Sequence, residues 1–315
     1  MRDDRSLSSG LIADGRPLLA VTALALLLTG AFALFLAVRR EFLPHDIAYL
    51  GMDAEQLCSL AGCRVVSFMF HDRVAFGGAL IAVGTLYLWL ISFPLAEGAR
   101  WAWRAIALSG VLGFASFLAY LGYGYLDTWH GVATLGLLPC FMLGLWRTRA
   151  RAPLPTLGWL RSPEGRDASW AARTGRWGLI ATGAGMLLAG LVILGVGTTS
   201  VFVPQDLAFI GLTRTELHDA SPRLIPLIAH DRAGFGGGLA SAGVLVCLCA
   251  WYARPARAFS EAVLVAGIAG FGCAIVVHYA EGYTDIVHLG PALAGAALFL
   301  VSLTLEAVGH RRDET

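Results

Sequence analysis

The sequence predicts an all-α integral membrane protein whose eight transmembrane helices form two tandem, parallel four-helix repeats. Three observations support this prediction: the composition, the recurrence of long apolar runs and an internal duplication. Of the 315 residues, 57% are hydrophobic and only 14% are charged, and the mean hydropathy is +0.67. Soluble domains carry about 25% charged residues. Lipid must therefore be the solvent for much of this chain.

Apolar runs long enough to cross a bilayer recur eight times along the chain. A membrane-spanning helix needs about 20 mostly apolar residues. The eight runs lie near 17–38, 74–94, 103–125, 130–147, 177–200, 233–252, 259–280 and 287–308. The run at 130–147 is the shortest of them.

A duplication relates the two halves of the chain. The motif FLPHDIAYLG at 42–51 matches FVPQDLAFIG at 202–211, HDRxxFGG at 71–78 recurs at 230–237, and GYxDxxH at 124–130 recurs at 282–288. We therefore expect a first four-helix half at 1–147, a linker at 148–176 and a second half at 177–315. Because four spans is an even number, both halves should insert the same way round, with a pseudo-two-fold axis along the membrane normal.

Arginine placement predicts the orientation. With the N-terminus inside, sixteen of the 23 cationic residues fall on the inner side. The seven on the outer side are Arg39, Arg40, Arg64, Arg73, Arg214, Arg223 and Arg232. Cytoplasmic segments carry the excess of positive residues. We expect a bacterial inner-membrane protein with both termini and the 148–176 linker in the cytoplasm.

The loop after the first span of each half should contain a short surface helix. Residues 53–56 (DAEQ) and 213–216 (TRTE) both fit the capping-box pattern, in which the first and fourth side chains satisfy each other's backbone N–H groups. Pro44 and Pro204 stand at matching positions and fit the turn before these helices.

Four histidines occupy equivalent places in the two halves, at the predicted outer ends of the second and fourth helices. They are His71, His130, His230 and His288. Ionisable groups in a membrane are expensive to bury, so repeated ones are expected to be grouped rather than scattered toward lipid. We predict that His71 approaches His130 and that His230 approaches His288, each pair across an outward-facing cavity.

An aspartate accompanies each histidine. In GYxDxxH the aspartate and histidine are an i,i+3 pair, so the carboxylate can hold the second ring N–H and fix the tautomer. In HDR the two residues are adjacent and should point about 100° apart on a helix. All four aspartates also stand where a predicted helix starts, so helix capping is the alternative. They are Asp72, Asp127, Asp231 and Asp285.

Glycines and cysteines have largely structural interpretations. The glycines after HDR are expected to let helices approach closely, although a planar cofactor would use the same space. Cys58 and Cys63 lie in the first outer loop and are candidates for a disulfide in an oxidising compartment. The other four cysteines fall in apolar runs, where buried thiols are expected.

The layout resembles the heme A synthase family. That family also has eight spans in two four-helix halves, outer-side histidines on the second, fourth, sixth and eighth helices, and a cysteine pair in the first outer loop. The corresponding residues here are His71, His130, His230, His288, Cys58 and Cys63. The motif match is incomplete, since the family has Glu where this chain has Phe68. The resemblance implies a heme-binding membrane protein.

These patterns predict a heme-binding redox protein, with an activity of the heme-dependent oxidoreductase class. Paired histidines would ligate the iron, and Arg73 and Arg232 would meet the heme propionates. A second hypothesis is a membrane enzyme whose histidines and aspartates bind zinc or another divalent metal and act on a lipid or lipid-linked substrate. A third is a transporter or an assembly factor. The partners expected are membrane lipids, and a net charge of +1 argues against nucleic acid.

Overall fold

The computed structural model describes residues 14–118, 122, 125, 131–149 and 169–313. All regular structure in these residues is helical. In chain order the α-helices are α1 (Arg16–Arg39), α2 (Pro44–Leu50), α3 (Ala54–Ala61), α4 (Cys63–Ser92), α5 (Arg100–Leu118), α6 (Leu138–Thr148), α7 (Trp170–Thr198), α8 (Pro204–Ile210), α9 (Arg214–Ala220), α10 (Leu224–Tyr252), α11 (Arg257–Glu281) and α12 (Ile286–Asp313). Within the described residues, seven helices are long and apolar enough to cross a membrane: α1, α4, α5, α7, α10, α11 and α12.

The fourth predicted span is not among these seven. A π-helical turn, Ala133–Leu137, precedes α6, which has only 11 residues. Pro139 lies at the start of α6, and its missing N–H removes one helical hydrogen bond, which fits a change of helix type at this point. The predicted run at 130–147 begins at a residue outside the described part of the chain.

The seven long helices indicate an integral membrane protein. The most apolar windows of α4 and α10 are 67% and 72% buried, whereas that of α1 is only 17% buried. The outward surface of α1 is covered by large apolar side chains such as Leu28, Phe32 and Val38, which are at least half exposed. A surface of this kind is unstable in water and is suited to lipid contact.

The helices pack around a central pair formed by α4 and α10. α1 and α11 pack on α4, while α7 and α5 pack on α10. Glycines permit the close approach: a Cβ on Gly78 would lie 2.6 Å from the Ala269 carbonyl of α11, and one on Gly236 would lie 2.4 Å from the Leu194 nitrogen of α7. This confirms the packing role predicted for the glycines after HDR. Thus α4 of the first repeat packs against α11 of the second, and α10 of the second repeat packs against α5 of the first.

The short helices α2, α3, α8 and α9 lie together at one end of the bundle, which we call the loop-helix end. Both predicted capping boxes are present, with Asp53 accepting from the backbone of Gln56 and Thr213 accepting from that of Glu216. Pro44 begins α2 and Pro204 begins α8. Cys58 and Cys63 form a disulfide between α3 and α4, with Cα atoms 4.1 Å apart.

Two of the predicted helix starts are wrong. α4 begins at Cys63 and α10 at Leu224, so Asp72 and Asp231 lie about two turns inside their helices. The residues before HDR are mainly apolar and buried, which continues each helix beyond the predicted span. Helix capping is therefore not the role of these two aspartates, and their charges need partners inside the bundle.

Candidate functional site

Three histidines converge near the loop-helix end of the bundle. His71 comes from α4, His278 from the last turn of α11 and His288 from the first turn of α12. One ring nitrogen from each lies within 4.8 Å of the others, and this is the one such group of three metal-ligating side chains in the described residues. His71 and His278 are buried. This arrangement, the histidine triad, joins residues of both sequence repeats.

Hydrogen bonds fix the orientation of each ring in the triad. The Nδ1 atom of His71 lies 3.0 Å from Asp72 Oδ1, and that of His278 lies 2.5 Å from the backbone carbonyl of Ala274. The Nδ1 atom of His288 lies 3.3 Å from the hydroxyl of Tyr283. Each Nδ1 atom therefore faces an oxygen that can accept its proton, which leaves each Nε2 atom with a lone pair.

Tyr283 can accept from His288 because its own proton is committed elsewhere. Its hydroxyl donates to Asp206 Oδ1 at 2.8 Å. Burial of the ring and the neighbouring Asp206 carboxylate raise the pKa of Tyr283 well above its usual range, so the hydroxyl stays protonated. The aromatic ring also stacks on His288, with centroids 4.4 Å apart.

The spacing within the triad suits ligation of one metal ion. The Nε2 atoms of His71 and His278 are 3.2 Å apart. Two lone pairs facing each other at this distance repel unless a proton or a cation lies between them. Metal–nitrogen bonds of about 2.0–2.1 Å in tetrahedral geometry place neighbouring ligand nitrogens about 3.3 Å apart. Two axial histidines on opposite sides of a heme iron would be about 4 Å apart on the same bond lengths.

Behind the triad lies a network of buried and partly buried ion pairs with matching members in both sequence repeats. Arg73 contacts Asp46 and Asp231, each at 2.8 Å. The equivalent Arg232 contacts Asp206 through a short charge-assisted hydrogen bond and Asp72 at 3.2 Å. Each arginine thus joins an aspartate of its own repeat's short helix to the HDR aspartate of the other repeat. Arg73 and Arg232, predicted to meet heme propionates, here pair with these carboxylates.

The pairing of histidines predicted in the second half differs from the structure. His288 lies with His71 and His278, while His230 lies 3.3 Å from Asp231 and contacts the Tyr125 ring, whose centroid is 5.3 Å away. The reason is the helix packing, because α4 lies against α11 of the other repeat. His130 and Asp127 lie outside the described residues, so the His71–His130 prediction is not tested.

The structure corrects one expectation about the aspartates and decides between two alternatives for another. Asp72 and His71 were expected to point apart, yet the Asp72 carboxylate turns back to its neighbour's ring while also facing Arg232. For Asp285 the sequence left two roles open, orienting His288 or capping the helix, and its carboxylate accepts from the backbone N–H groups of Val287 and His288. Asp285 is therefore a helix cap, and Tyr283 takes the orienting position.

An apolar cavity of about 390 Å³ extends from the triad into the bundle. All three histidines line one end of it. Its walls come from α4, α7, α10, α11 and α12 and consist mainly of alanine, glycine and larger apolar side chains. A metal ion held by the triad would therefore have a coordination position facing an apolar space.

Sequence reasoning missed His278, Tyr283 as an orienting group, and the paired Asp46 and Asp206. His278 has no histidine at the equivalent place in the first repeat, so a search for repeated residues passes over it. The two aspartates and Tyr283 do lie in repeated motifs, and that repetition was the available signal.

Comparison with protein-family models, with curated proteins and with solved structures finds no match for this chain. The assignment of function therefore depends on the site itself.

A double-mutant cycle should reveal which arginine pairs with which aspartate. We expect Arg232→Gln and Asp72→Asn to be coupled by about 0.5–3 kcal/mol in unfolding free energy, because the two charges form a buried pair. Arg73→Gln and Asp72→Asn, although adjacent in sequence, should be nearly additive. Chemical unfolding in detergent measures both cycles. Stronger coupling of the Arg73 cycle would contradict the crossed network.

Proposed function

We propose that the protein binds a zinc-like divalent metal ion through His71, His278 and His288 and uses it in hydrolytic chemistry on a lipid or lipid-linked substrate. The observation that carries this proposal is the convergence of three histidines whose Nδ1 atoms all face acceptors. Three histidines with one open position form a known catalytic zinc arrangement. Such an ion supplies Lewis acidity and an activated water.

The groups behind the triad resemble those that support metal-binding histidines in general. Ligating histidines commonly donate the second ring N–H to a carboxylate or a backbone carbonyl. Here Asp72 and the Ala274 carbonyl occupy those positions, and Tyr283 serves His288. Arg232 faces both Asp72 and Asp206, so it supports two of the three ligands through their acceptors.

Heme was the cofactor predicted first from sequence, and the geometry favours a bare ion over it. The Nε2–Nε2 distance of 3.2 Å is closer to the tetrahedral value of about 3.3 Å than to the axial value of about 4 Å. Three ring nitrogens within 4.8 Å of one another suit a bare ion, since a heme iron has only two axial positions for protein ligands. Heme ligation that involves His130 is a separate prediction.

We also propose that the chain has eight spans in two parallel repeats, with both termini in the cytoplasm. Matched contacts support the repeat: Arg73 with Asp46 corresponds to Arg232 with Asp206. Tyr125 donates to Asp46 at 2.5 Å as Tyr283 donates to Asp206. In this orientation the triad lies toward the outer face, where the loop helices and the disulfide also lie.

Metal content tests the proposed function directly. Purified protein should contain about one zinc ion per chain by elemental analysis, and His71→Ala, His278→Ala and His288→Ala should each remove most of it, because three ligands hold the ion. His218→Ala, in the exposed helix α9, is the matched control and should retain the metal. Heme by pyridine hemochrome assay in a zinc-free preparation would overturn the proposal.

The acceptor behind His71 should tune metal affinity. We expect Asp72→Asn to weaken zinc binding by about 10- to 100-fold in chelator competition, since it removes the carboxylate that orients the ring. Asp285→Asn is the matched control, because Asp285 caps α12 and faces no ring nitrogen of the triad. Equal effects of the two substitutions would argue against an orienting role for Asp72.

The orientation is tested by cysteine labelling in intact cells. With the native cysteines replaced by serine, a reporter at Glu55→Cys should react with an impermeant maleimide, because α3 should lie outside. A reporter at Ala152→Cys should react only after the cells are opened. The reverse pattern would place the triad toward the cytoplasm.

A further inference from the structure

The cavity beside the triad is long and narrow rather than compact. On α4 its lining runs from His71 to Leu86, and on α12 from His288 to Phe299. At a rise of 1.5 Å per residue these stretches correspond to about 22 Å and about 17 Å. One leaflet of a bilayer contributes about 15 Å of hydrocarbon, half of the usual core. The cavity therefore has the length of a lipid tail.

The walls offer almost no hydrogen-bonding groups below the histidines. The polar side chain among the other lining residues is Thr182, and its hydroxyl donates to the Gly178 carbonyl of its own helix at 2.9 Å. A water molecule needs two to four polar partners to be stable in a cavity. Apart from the Thr182 oxygen, the side chains of these walls provide no such partner, and the small side chains at Ala75, Ala79 and Ala274 leave room for a hydrocarbon chain.

The helices α7 and α12 are in close contact toward the end opposite the loop helices. There a Cβ on Gly175 would lie 2.4 Å from the Glu306 nitrogen, and one on Gly178 would lie 2.0 Å from Ser302 Oγ. Toward the loop-helix end, a Cβ on Gly185 or Gly290 would meet nothing within 4 Å. Gly185 lines the cavity and is exposed, so the cavity reaches the side of the bundle beside α7, and α12 forms its other wall there.

We infer that this cavity holds one hydrocarbon tail of a membrane lipid, which enters sideways between α7 and α12. The oxygen-bearing headgroup then lies at the histidine triad, where the proposed metal ion would coordinate it. The inference about the headgroup rests on the proposed function, whereas the inference about the tail rests on the cavity alone. Together the two inferences narrow the proposed substrate class to a lipid with a single tail, or to a lipid-linked molecule of which one tail is bound.

Photo-crosslinking with a palmitate analogue that carries a diazirine near the end of its chain tests the tail site in nanodiscs. We expect crosslinks in the peptides of α7 and α12 that line the cavity. Gly185→Leu should reduce them by about tenfold or more, because the new side chain occupies the space of the tail. Gly195→Leu is the matched control, since Gly195 also has open space on α7 but lies outside the cavity lining.

Zinc content, measured on the same preparations, separates the two proposals. Loss of crosslinking in Gly185→Leu with zinc retained supports both. If the unsubstituted protein contains no zinc and Gly185→Leu still loses crosslinking, the tail site is supported and the metal site is overturned. Crosslinking that Gly185→Leu does not change, or that falls only on outward residues of α1, overturns the tail site whatever the metal content.

Discussion

The arginine–aspartate network inside the bundle is the constraint on which the rest of the site depends. An arginine inside a membrane protein is costly unless its charge is paired and its donors are satisfied. Arg232 meets this requirement with Asp206 and Asp72, and Arg73 meets it with Asp46 and Asp231. These pairs join the short helices to the central helices. The same contacts hold the carboxylates at fixed places behind the triad.

Arg232 is connected to two of the three histidines through chains of hydrogen bonds and ion pairs. One chain of contacts runs through Asp72 to the Nδ1 atom of His71. Another runs through Asp206 and the Tyr283 hydroxyl to His288. His278 needs no such support, since the carbonyl of its own helix at Ala274 accepts its proton. A rigid outer set of partners is what allows one ring nitrogen of each histidine to converge without prior binding of an ion.

The triad is less symmetric than the network behind it. Both repeats supply an HDR arginine, a loop-helix aspartate and a tyrosine that donates to it. His278, however, has no histidine counterpart in the first repeat. The second repeat therefore supplies two of the three histidines of the triad, and His278 is the one without a counterpart. The described part of the other copy places the Tyr125 ring against His230. The proposed metal site would then be a specialisation of one of two similar frameworks.

The amino-acid sequence by itself determined the membrane class, the position of most spans, the capped short helices and the repeated motifs. These features follow from local apolar length and from contacts between residues a few positions apart, such as Asp53 with Gln56. Repetition also identified Arg73 and Arg232, although not their partners.

Only the tertiary structure decided which repeated residues meet. The sequence indicated that histidines pair within each half. It shows which residues belong to one repeat, but not which helices pack against helices of the other repeat. Packing of α11 on α4 brings His278 and His288 to His71, over more than 200 positions of chain. The contact between α4 and α10 sets Asp72 against Arg232 rather than against its sequence neighbour Arg73. The physical reason is that burial of charge and close packing at glycines are satisfied between distant helices, and no local pattern encodes that choice.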